Sequence, residues 1–540
     1  MTSRWEAGFP LVQVREKLRR GMALPLAVAE TARATGQPAA PLLAAARSHA
    51  DLVAAPGATR VCRGTSCELR GAARIAEALS GNGPVRSVHC LGYCHRSPAV
   101  LSANGGVFVD ADPARIALDF GRPPPLPSAP RVGSLASEPI VTRRIGRGDF
   151  SQLSKARGDG AYQTLLKALS LGREGVLREV ERSGERGRGG AGFPTAVKWR
   201  AAAAAPGDRK VVIANGDEGD PGSFVDRVLL ERDPHGVLEG LALCALAVGA
   251  ELGVVFVRSE YPRAVQRMGE AAREAERAGL LGPRLGGDGP PFAVRVVEGF
   301  GSYVCGEETA LIAALEGERG EVRPRPPFPS ERGLFGRPTV VNNVETLVNV
   351  PWIVERGGDA FAAIGTKHSN GTKVLCLDAG FGQPGIVEVP FGLSLRDVIQ
   401  DWGATSCSDS ELAGVLVGGP MGSFLTPDRC DVTLCWAVLA QRGVRLGHGG
   451  LVAVPRDTDL AALATQLLRF VATESCGRCV PCRAGSTRAL ELASRGVLEN
   501  AAALRSVLWL MRNASLCPFG REAPGPVETL LALAEREVQA

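Results

Sequence analysis

Three cysteines near the C-terminal end of the chain have the spacing of iron–sulfur ligands. Residues 474–483 read Glu-Ser-Cys-Gly-Arg-Cys-Val-Pro-Cys-Arg, which puts Cys476, Cys479 and Cys482 at C-x2-C-x2-C spacing, and Cys517 follows in a Cys-Pro pair. Three close thiolates and a remote fourth are a typical ligand set for a 4Fe–4S cluster. A zinc knuckle or a chance cluster is the alternative, but zinc sites favour two paired C-x2-C arms. The spacing therefore predicts a site that carries single electrons.

A second group of four cysteines lies in the N-terminal part and forms two pairs. The pairs are Cys62–Cys67, at C-x4-C spacing, and Cys90–Cys94, at C-x3-C spacing. Four thiolates in two pairs suit a 2Fe–2S cluster, which takes two ligands on each iron. Disulfides are one alternative, which a cytosolic setting disfavours. A Rieske-type site with His89 or His95 is another, although four cysteines already suffice.

The other cysteines of the chain are scattered, and we interpret them as structural. Of the 14 cysteines, these six are Cys244, Cys305, Cys376, Cys407, Cys430 and Cys435. Cys244 and Cys376 stand in apolar runs, where cysteine acts as a small core hydrophobe. Cys430 and Cys435 repeat the C-x4-C spacing, but no second pair accompanies them.

A glycine-dense, cationic segment covers residues 184–199. Gly187, Gly189 and Gly192 satisfy G-x-G-x-x-G, but the preceding residues 176–182 read as a charged helix rather than a buried strand. The segment therefore differs from the ordinary dinucleotide fingerprint, which follows a strand. Bare backbone amides can still approach a phosphate there, and the cations Arg186, Arg188 and Lys198 can neutralise it. A flexible surface loop is the alternative interpretation.

Carboxylates and amides follow in three further motifs. Residues 214–224 read Ala-Asn-Gly-Asp-Glu-Gly-Asp-Pro-Gly-Ser-Phe after a predicted strand, where α/β proteins bind ligands. Residues 301–309 form a Gly-rich turn with two carboxylates, and residues 341–346 supply two amides. Paired carboxylates could act as general acid and base in a hydrolase. Beside two iron–sulfur arrays, groups that hold ribose or ribityl hydroxyls fit better.

Composition indicates a multidomain protein. The chain has 540 residues, 45% of them hydrophobic, and a net charge of +5 that is too scattered to indicate a nucleic-acid partner. The N-terminus lacks the pattern of a signal peptide. We see no apolar run of the roughly 18 residues that a membrane helix needs. We therefore expect a cytoplasmic protein without direct membrane insertion.

The chain divides into six segments by pattern. Five prolines in residues 121–130 make a stiff linker and the clearest boundary. The predicted segments are a helical arm (1–55), a domain with the first cysteines (56–120), a Pro-rich linker (121–139), an α/β domain with the glycine loop (140–355), a β-rich domain (356–455) and a helical domain with the second cysteines (456–540).

Residues 140–540 resemble the NADH-binding flavoprotein subunit of respiratory complex I and its soluble relatives. The matching stretches are Arg-Gly-Arg-Gly-Gly-Ala-Gly-Phe-Pro-Thr, Asp-Glu-Gly-Asp-Pro-Gly-Ser-Phe, Cys-Gly-Glu-Glu-Thr-Ala-Leu, Pro-Pro-Phe-Pro, Val-Asn-Asn-Val-Glu-Thr-Leu and Glu-Ser-Cys-Gly-Arg-Cys-Val-Pro-Cys-Arg. Residues 56–120 look like the thioredoxin-like 2Fe–2S partner of this flavoprotein, fused to it. The resemblance implies a multidomain α/β fold with a Rossmann-like FMN/NADH domain, a ubiquitin-like β-grasp domain and a C-terminal helical 4Fe–4S bundle.

The resemblance also implies binding residues for FMN and NADH. They are Gly187, Arg188, Gly189, Gly190, Ala191, Phe193, Lys198, Asn215, Asp217, Glu218, Gly306, Glu307, Glu308, Phe328, Asn342 and Asn343. Adenine is expected against Phe193 and Phe328. Glu308 is expected to bind the adenosine ribose and to repel a 2′-phosphate, which favours NAD over NADP. No catalytic side chain is expected, because FMN performs the hydride transfer.

The implied activity is that of a diaphorase subunit, which exchanges hydride between NAD(H) and FMN and passes single electrons through iron–sulfur clusters. The fused 2Fe–2S segment favours a soluble NAD-dependent formate dehydrogenase or NAD-reducing hydrogenase, whose catalytic subunit is the expected partner. The alternatives are an NADH dehydrogenase subunit of complex I, with other complex I-like subunits as partners, and a redox-inactive scaffold subunit.

Overall fold

The computed structural model describes residues 8–54, 57–81, 83–119, 124–207, 209–403 and 411–539. The chain forms two compact units. Unit 1 comprises Met1–Ala54, Arg143–Glu218 and Asp226–Ala363, and unit 2 comprises Ala55–Thr142, Gly219–Val225 and Ile364–Ala540. Among the described residues, no helix is long and apolar enough to span a bilayer.

The described part of the chain begins with four helices, which belong to unit 1. They are α1 (Pro10–Arg19), α2 (Leu24–Thr35), α3 (Ala39–Ser48) and α4 (Ala50–Val53). Pro10 opens α1 at a position where the missing N–H is not needed. The second helix ends at Gly36, whose left-handed φ of 67° suits glycine. We call residues 10–53 the helical arm.

Unit 2 starts with a small mixed sheet that carries the first cysteines. Its elements are β1 (Thr59–Cys62), α5 (Thr65–Glu68), α6 (Ala72–Ala78), β2 (Val85–Val88), β3 (Val100–Leu101), β4 (Val107–Phe108) and α7 (Pro113–Asp119). The strand order is β2-β1-β3-β4. The pairing of β1 with β2 is parallel, and the other two pairings are antiparallel. Separate apolar clusters cover the two faces of the sheet.

The predicted linker 121–139 is only partly a linker, because it contains a strand. This strand, β5 (Arg131–Ser134), pairs in parallel with the strand Gly385–Pro390. Gly133 fits because the ring of Trp402 fills the space that a Cβ would take. The pattern could not show this strand, because its partner lies about 250 residues further along the chain. Residues 121–123 of the linker lie outside the described part.

The α/β part of unit 1 is a parallel sheet with helices around it. Its elements are α8 (Leu153–Gly158), α9 (Gln163–Ser183), α10 (Thr195–Ala204), β6 (Val211–Gly216), α11 (Val225–Arg232), α12 (Pro234–Val248), β7 (Leu252–Val257), α13 (Pro262–Arg277), β8 (Ala293–Glu298), α14 (Glu308–Leu315), α15 (Pro329–Arg332), β9 (Thr339–Asn343), α16 (Val344–Arg356) and α17 (Gly358–Ala362). Continuous apolar runs such as Gly-Val-Val-Phe-Val are typical of strands that are buried on both faces. Every residue of β7 is buried.

The strand order of this sheet is β8-β7-β6-β9, and all three pairings are parallel. From β6 the chain proceeds outward to β7 and β8, and it then returns to the other side of β6 as β9. The order therefore reverses between β6 and β9. Open α/β sheets bind ligands beyond the carboxyl ends of the strands at such a topological switch point.

The β-rich part of unit 2 follows. Its elements are β10 (Gly365–Thr366), β11 (Ser369–Asn370), β12 (Thr372–Leu377), β13 (Gly385–Pro390), α18 (Leu395–Val398), β14 (Leu412–Val417), β15 (Ser423–Leu425), α19 (Trp436–Gln441) and β16 (Gly450–Pro455). Six strands form one sheet in the order β15-β14-β16-β12-β13-β5. Five of the cysteines that we interpret as structural are buried in the two units, namely Cys244, Cys305, Cys376, Cys430 and Cys435. The sixth, Cys407, lies outside the described residues.

The C-terminal part of unit 2 is helical, and the second group of cysteines stands at its helix ends. The helices are α20 (Leu460–Glu474), α21 (Val480–Ser494), α22 (Ala501–Ala514), α23 (Pro518–Glu522) and α24 (Pro524–Gln539). Asp459 caps α20 by accepting a hydrogen bond from the Ala462 amide at 2.9 Å. The buried side chains of α20 recur at helical spacing, as in Leu460, Leu463, Leu467 and Val471.

Candidate functional site

Two asparagines meet at the switch point of the unit 1 sheet. Asn215 on β6 is the register partner of Asn343 on β9. The Asn215 amide donates to the Gly306 carbonyl at 2.8 Å, and its oxygen accepts from the Asp217 amide at 3.1 Å. Asn215 therefore connects the carboxyl end of β6 to the loop before α14.

Asn343 and Asn342 point in opposite directions, as neighbours in a strand do. The Asn343 oxygen caps α16 by accepting from the Thr346 amide at 3.3 Å, and its Nδ2 donates to Asp226 at 2.6 Å. The buried Asn342 instead accepts from the Trp199 indole at 3.5 Å. Of the predicted pair, the structure brings Asn343 to the strand end and puts Asn342 in the interior.

The glycine loop closes on itself and lies against Asn343. The Gly187 amide donates to the Phe193 carbonyl at 2.9 Å, and the Thr195 amide donates to the Glu185 carbonyl at 2.9 Å. A Cβ on Gly189 would come within 3.1 Å of the Asn343 Cβ. Gly189 and Ala191 are exposed. The loop thus presents bare backbone at the switch point, although it precedes β6 in the chain.

Arg188, predicted as a phosphate-binding cation, is turned inward. Its guanidinium is fully buried and pairs with Glu185, at 2.5 Å between Nη2 and Oε2 and 3.2 Å between Nε and Oε1. Its backbone amide donates to the Thr346 hydroxyl at 2.9 Å. Burial raises the pKa of Glu185, and the guanidinium opposes that shift. In this structure the Arg188 side chain stabilises the glycine loop on its buried side.

Lys198 lies on α10, with its ammonium under β9. Its Nζ donates to the Val341 carbonyl at 2.6 Å. Desolvation lowers the pKa of Lys198, and the nearby carboxylate of Glu308 opposes that shift. Since an ammonium has three N–H donors, the group can also bind an oxygen of a ligand.

Glu218 is held by main-chain donors and by two side chains that the sequence analysis missed. Its carboxylate accepts from the Asp226 amide at 3.2 Å and from the Arg227 amide at 3.0 Å. Arg258 and Tyr261 donate to the Glu218 carbonyl at 2.6 and 3.0 Å. Arg258 directly follows β7 and Tyr261 stands three residues further along, so their position near the carboxyl end of a predicted strand was the available signal. The arginine also lies 3.6 Å from the carboxylate of Asp217, another predicted site residue.

The second acidic motif forms the start of α14. Glu307 caps this helix by accepting from the amides of Thr309 and Ala310 at 2.9 and 3.1 Å. Glu308 pairs with Arg325 at 2.6 Å, and the same guanidinium lies 3.4 Å from Glu307. Burial raises the pKa of Glu307.

Two predicted aromatic residues are accessible in unit 1. Phe193, on the glycine loop, is 48% exposed, and Phe328, before α15, is 50% exposed. Half-exposed rings of this size are available to stack on a planar ligand.

The first four cysteines converge in a buried site of unit 2. The sulfurs of Cys90 and Cys94 lie 3.5 Å apart, too far for the S–S bond of about 2.05 Å in a disulfide. A hydrogen bond from the Cys67 thiol, as the largest cause, lowers the pKa of Cys62 to about 7. A Cβ on Gly64 would lie close to both pairs, at 3.6 Å from the Cys62 sulfur and 3.4 Å from the Cys90 nitrogen. The two pairs are therefore adjacent.

Backbone amides point at these sulfurs. Gly92 donates to Cys90 and Gly222 donates to Cys94, each at 3.3 Å. Gly222 belongs to the motif 214–224, in the part of that motif that lies in unit 2. N–H···S bonds to a buried set of four thiols fit an iron–sulfur cluster. The histidines of the Rieske alternative contact aromatic rings, with His95 against Phe224 at 4.7 Å and His89 against Phe470 at 5.0 Å.

The second four cysteines converge at the helix ends of unit 2. Cys476 and Cys479 lie between α20 and α21, Cys482 lies in the first turn of α21, and Cys517 immediately precedes α23. Burial, together with the other three thiols, raises the pKa of Cys482 to about 12. The Leu516 amide donates to the Cys479 sulfur at 3.5 Å. Cys476 and Cys479 are partly exposed, whereas Cys482 and Cys517 are buried. The donor set fits a 4Fe–4S cluster.

A parallel sheet with polar side chains at its switch point, in a chain that also has two sets of convergent thiols, fits an oxidoreductase that carries single electrons. Comparison with known proteins agrees with this class. Residues 180–352 match the Nuo51 FMN-binding domain. Residues 462–540 match the iron–sulfur binding region of NADH-ubiquinone oxidoreductase F.

Relatives and solved structures are similar along most of the chain. The NADP-reducing hydrogenase protein HndC of Solidesulfovibrio fructosivorans is 40% identical over 74% of this chain and 83% of its own length. An NADH-quinone oxidoreductase F protein of Rhizobium meliloti (strain 1021) is 41% identical over 64% of this chain and 83% of its own length. A crystal structure of an NAD+-reducing [NiFe]-hydrogenase in the H2-reduced state superposes with a TM-score of 0.84 at 29% identity, covering 97% of this chain and 91% of that one.

The chain belongs to the family of NADH-quinone oxidoreductase F proteins and their hydrogenase relatives. It is an NADH-binding flavoprotein of the diaphorase type, with an FMN-binding domain and a 4Fe–4S binding region. The family that the sequence motifs indicated is thereby confirmed.

Proposed function

We propose that this chain exchanges electrons between NAD(H) and a hydrogenase-type partner, with FMN in the crevice between the ends of β6 and β9. One observation carries the proposal for the flavin site. The glycine loop, Asn215 and Asn343 converge at the switch point of the unit 1 sheet. Ligands bind at this position in open α/β sheets.

In this proposal the loop amides around Gly189 bind the FMN phosphate, and Lys198 contributes a cation. Asn215 and Asn343 orient the polar edge of the flavin, and Asp217 and Glu218 extend that edge. The chemistry that FMN supplies when bound is acceptance of a hydride and release of its two electrons one at a time. The side chains bind and orient, so no acid or base of the protein is needed at this step.

The proposed nucleotide site lies at the start of α14. Glu308 binds the adenosine ribose, and Phe193 and Phe328 stack on adenine. Arg325 pairs with Glu308 at 2.6 Å, so it offsets part of the negative charge that would repel a 2′-phosphate. We infer a preference for NAD over NADP that is weaker than an unpaired glutamate would give.

The two cysteine sites are proposed to hold different iron–sulfur clusters. Cys476, Cys479, Cys482 and Cys517 are the proposed ligands of the 4Fe–4S cluster. Cys62, Cys67, Cys90 and Cys94 are the proposed ligands of a 2Fe–2S cluster, supported by their burial and by the two N–H···S bonds. Each cluster carries one electron at a time.

The proposed domains follow the sequence segments with several changed boundaries, among them an end of unit 1 at Ala363 rather than at residue 355. The sheet β2-β1-β3-β4 is the proposed thioredoxin-like domain, and the six-stranded sheet is the proposed β-grasp domain. The β-grasp sheet gains β5 from the predicted linker. The chain enters unit 1 at Arg143 rather than at residue 140.

A hydrogenase assembly is the proposed setting of this chain. The relative HndC is named as a hydrogenase subunit, and the structural neighbour is a hydrogenase that aligns with 97% of this chain. The formate dehydrogenase setting stays a prediction.

The flavin site is tested by Gly189→Val, because the added side chain meets Asn343. We expect the FMN content of the purified protein to fall from about one per chain to less than about a tenth, as the loop is displaced from the phosphate. Flavin is measured by absorbance and by fluorescence after release. Both iron–sulfur signals should persist in electron paramagnetic resonance (EPR) spectra.

Gly158→Val is the matched control, since nothing lies within 4 Å of a Cβ at Gly158. Full FMN content in a folded Gly189→Val variant would place the phosphate elsewhere. If Gly189→Val also loses its clusters, Gly189→Ala decides, because its single Cβ disturbs only the contact with Asn343.

A further inference from the structure

The helical arm is part of the core of unit 1. Leu11, Val14 and Val28 are buried in the same apolar cluster as Ile213 of β6 and Leu311 of α14. The arm lies outside the two regions that match the family domains, residues 180–352 and 462–540. Its polar contacts with the rest of unit 1 are concentrated on residues 298–317, the segment that carries Glu307 and Glu308.

Arg15 binds the beginning of that segment. Its Nη2 donates to the carbonyls of Glu298 and Gly299 at 2.7 and 2.8 Å, and its Nη1 lies 3.1 Å from the Glu298 carboxylate. The guanidinium also lies over the Phe300 ring, 4.3 Å from its centroid. The side chain is nearly buried, and burial lowers the pKa of Arg15 although the carboxylates of Glu298 and Asp51 oppose the shift.

The other end of the arm packs on the next residues of the same loop. The Asp51 amide donates to the Phe300 carbonyl at 3.2 Å. Gly301 has a φ of +72°, and a Cβ there would come within 2.8 Å of the Asp51 carboxyl carbon. The buried ring of His49 lies 5.3 Å from the Phe300 ring. The loop before the nucleotide carboxylates therefore has little room to move.

The arm also holds the far end of α14. Gln37 donates from Nε2 to the Glu316 carbonyl at 2.7 Å. A Cβ on Gly317 would come within 2.8 Å of the Pro10 Cβ. Contacts from the arm thus bracket α14 from both sides, at residues 298–301 and at residues 316–317.

We propose that the helical arm is a brace that positions Glu307 and Glu308 for the pyridine nucleotide, and that Arg15 is its main positioning residue. The proposal rests on the proposed function, in which Glu308 binds the ribose of NAD(H). Arg15 itself touches neither nucleotide nor flavin in this account. It acts through the carbonyls of Glu298 and Gly299, at the start of the segment that leads from β8 to Glu307 and Glu308 at the beginning of α14.

The test compares Arg15→Gln with Arg19→Gln in the full-length holoprotein. Both arginines lie on α1 and pair with Glu298, but Arg19 is exposed and, among the residues that the structure describes, bonds only to the Glu298 carboxylate, at 2.7 Å. We expect Arg15→Gln to raise the KM for NADH about tenfold, as loss of hydrogen bonds from a charged donor does, with kcat nearly unchanged. Arg19→Gln should change the KM less than about twofold, as removal of a surface ion pair does.

Arg15→Lys separates charge from geometry. It keeps the charge near Glu298 but loses the planar fork that reaches two carbonyls, so an intermediate KM is expected. NAD+ affinity, measured by calorimetry, should follow the KM, while FMN content and the cubane EPR signal stay at wild-type levels.

An unchanged KM in an Arg15→Gln protein with full FMN content would overturn the brace, as would a fall in kcat at constant KM. If Arg15→Gln does not fold, Gln37→Ala replaces it, because this partly exposed residue holds the other end of α14; an unchanged KM there would also overturn the proposal. Failure of the proposed nucleotide site is distinguishable, because Glu308→Gln would then leave the KM for NADH at its wild-type value.

Discussion

The candidate sites of unit 1 and unit 2 consist of different kinds of chemical group. In unit 1 the candidate site consists of backbone amides, side-chain amides and carboxylates at the ends of parallel strands. In unit 2 the two sites consist of thiols on short turns and helix ends, separated from each other by almost 400 residues of sequence. The first kind of site depends on sheet topology, and the second on cysteine spacing.

This difference corresponds to the two kinds of electron transfer that the family performs. A hydride needs a planar acceptor held in register with the nucleotide, which favours rigid strand ends. Single electrons need only metal clusters with tuned potentials, and burial and N–H···S bonds provide that tuning. The two cysteine sites differ in burial, since all four cysteines of the first are buried while two of the second are partly exposed. The second site is therefore the more accessible of the two.

The largest expected effect is the loss of one cluster of unit 2 without loss of the flavin of unit 1. Cys517→Ser should abolish the 4Fe–4S EPR signal of the reduced protein while FMN stays bound, because this ligand belongs to unit 2 and the flavin site to unit 1. Cys482→Ser should do the same. Cys430→Ser is the control, since this buried cysteine belongs to neither cluster site. A cubane spectrum that is unchanged in Cys517→Ser would remove our ligand assignment.

A second substitution tests whether the first cysteine site of unit 2 is needed for NADH oxidation. Cys67→Ser should remove the 2Fe–2S signal and leave NADH-dependent reduction of ferricyanide within about twofold of wild type, because hydride transfer needs only the unit 1 site. The readouts are EPR spectra and steady-state rates. Complete loss of activity in a folded Cys67→Ser protein with full FMN content would contradict the separation of the two chemistries.

The smallest effect concerns nucleotide choice in unit 1. Glu308→Gln should raise the ratio of kcat/KM for NADPH to that for NADH about tenfold, because the like charge facing a 2′-phosphate is removed. Arg325→Ala should lower the same ratio, since the carboxylate loses its counter-ion. Glu318→Gln is a matched control, as this exposed glutamate pairs with Arg323 instead. A ratio that does not move in Glu308→Gln would show that the carboxylate is not at the ribose.

The grouping of the cysteines was easier to read from the sequence than the surroundings of the glycine loop, for a physical reason. Cysteine spacing is local, and the structure brings the thiols of each set together, while the cluster that each set holds stays a prediction. The Arg188 side chain points inward because its partner Glu185 is buried. The side chains of Asn342 and Asn343 lie on opposite faces of β9, and which of them is buried depends on which face packs against the rest of unit 1. Neither can be read from a motif. The same holds for β5, whose partner β13 is remote in sequence, and for the arm, whose contacts with residues 298–317 carry no sequence signature.

The most direct test of the central claim is an anaerobic titration of the wild-type protein with NADH, followed by visible absorbance and EPR. The account predicts that NADH bleaches a bound flavin and that the EPR signal of a reduced cubane grows with it, because the two electrons of the accepted hydride would pass one at a time to the cluster while its proton is released to solvent. A protein whose flavin is bleached with no cluster signal, or that contains no flavin, would contradict the account.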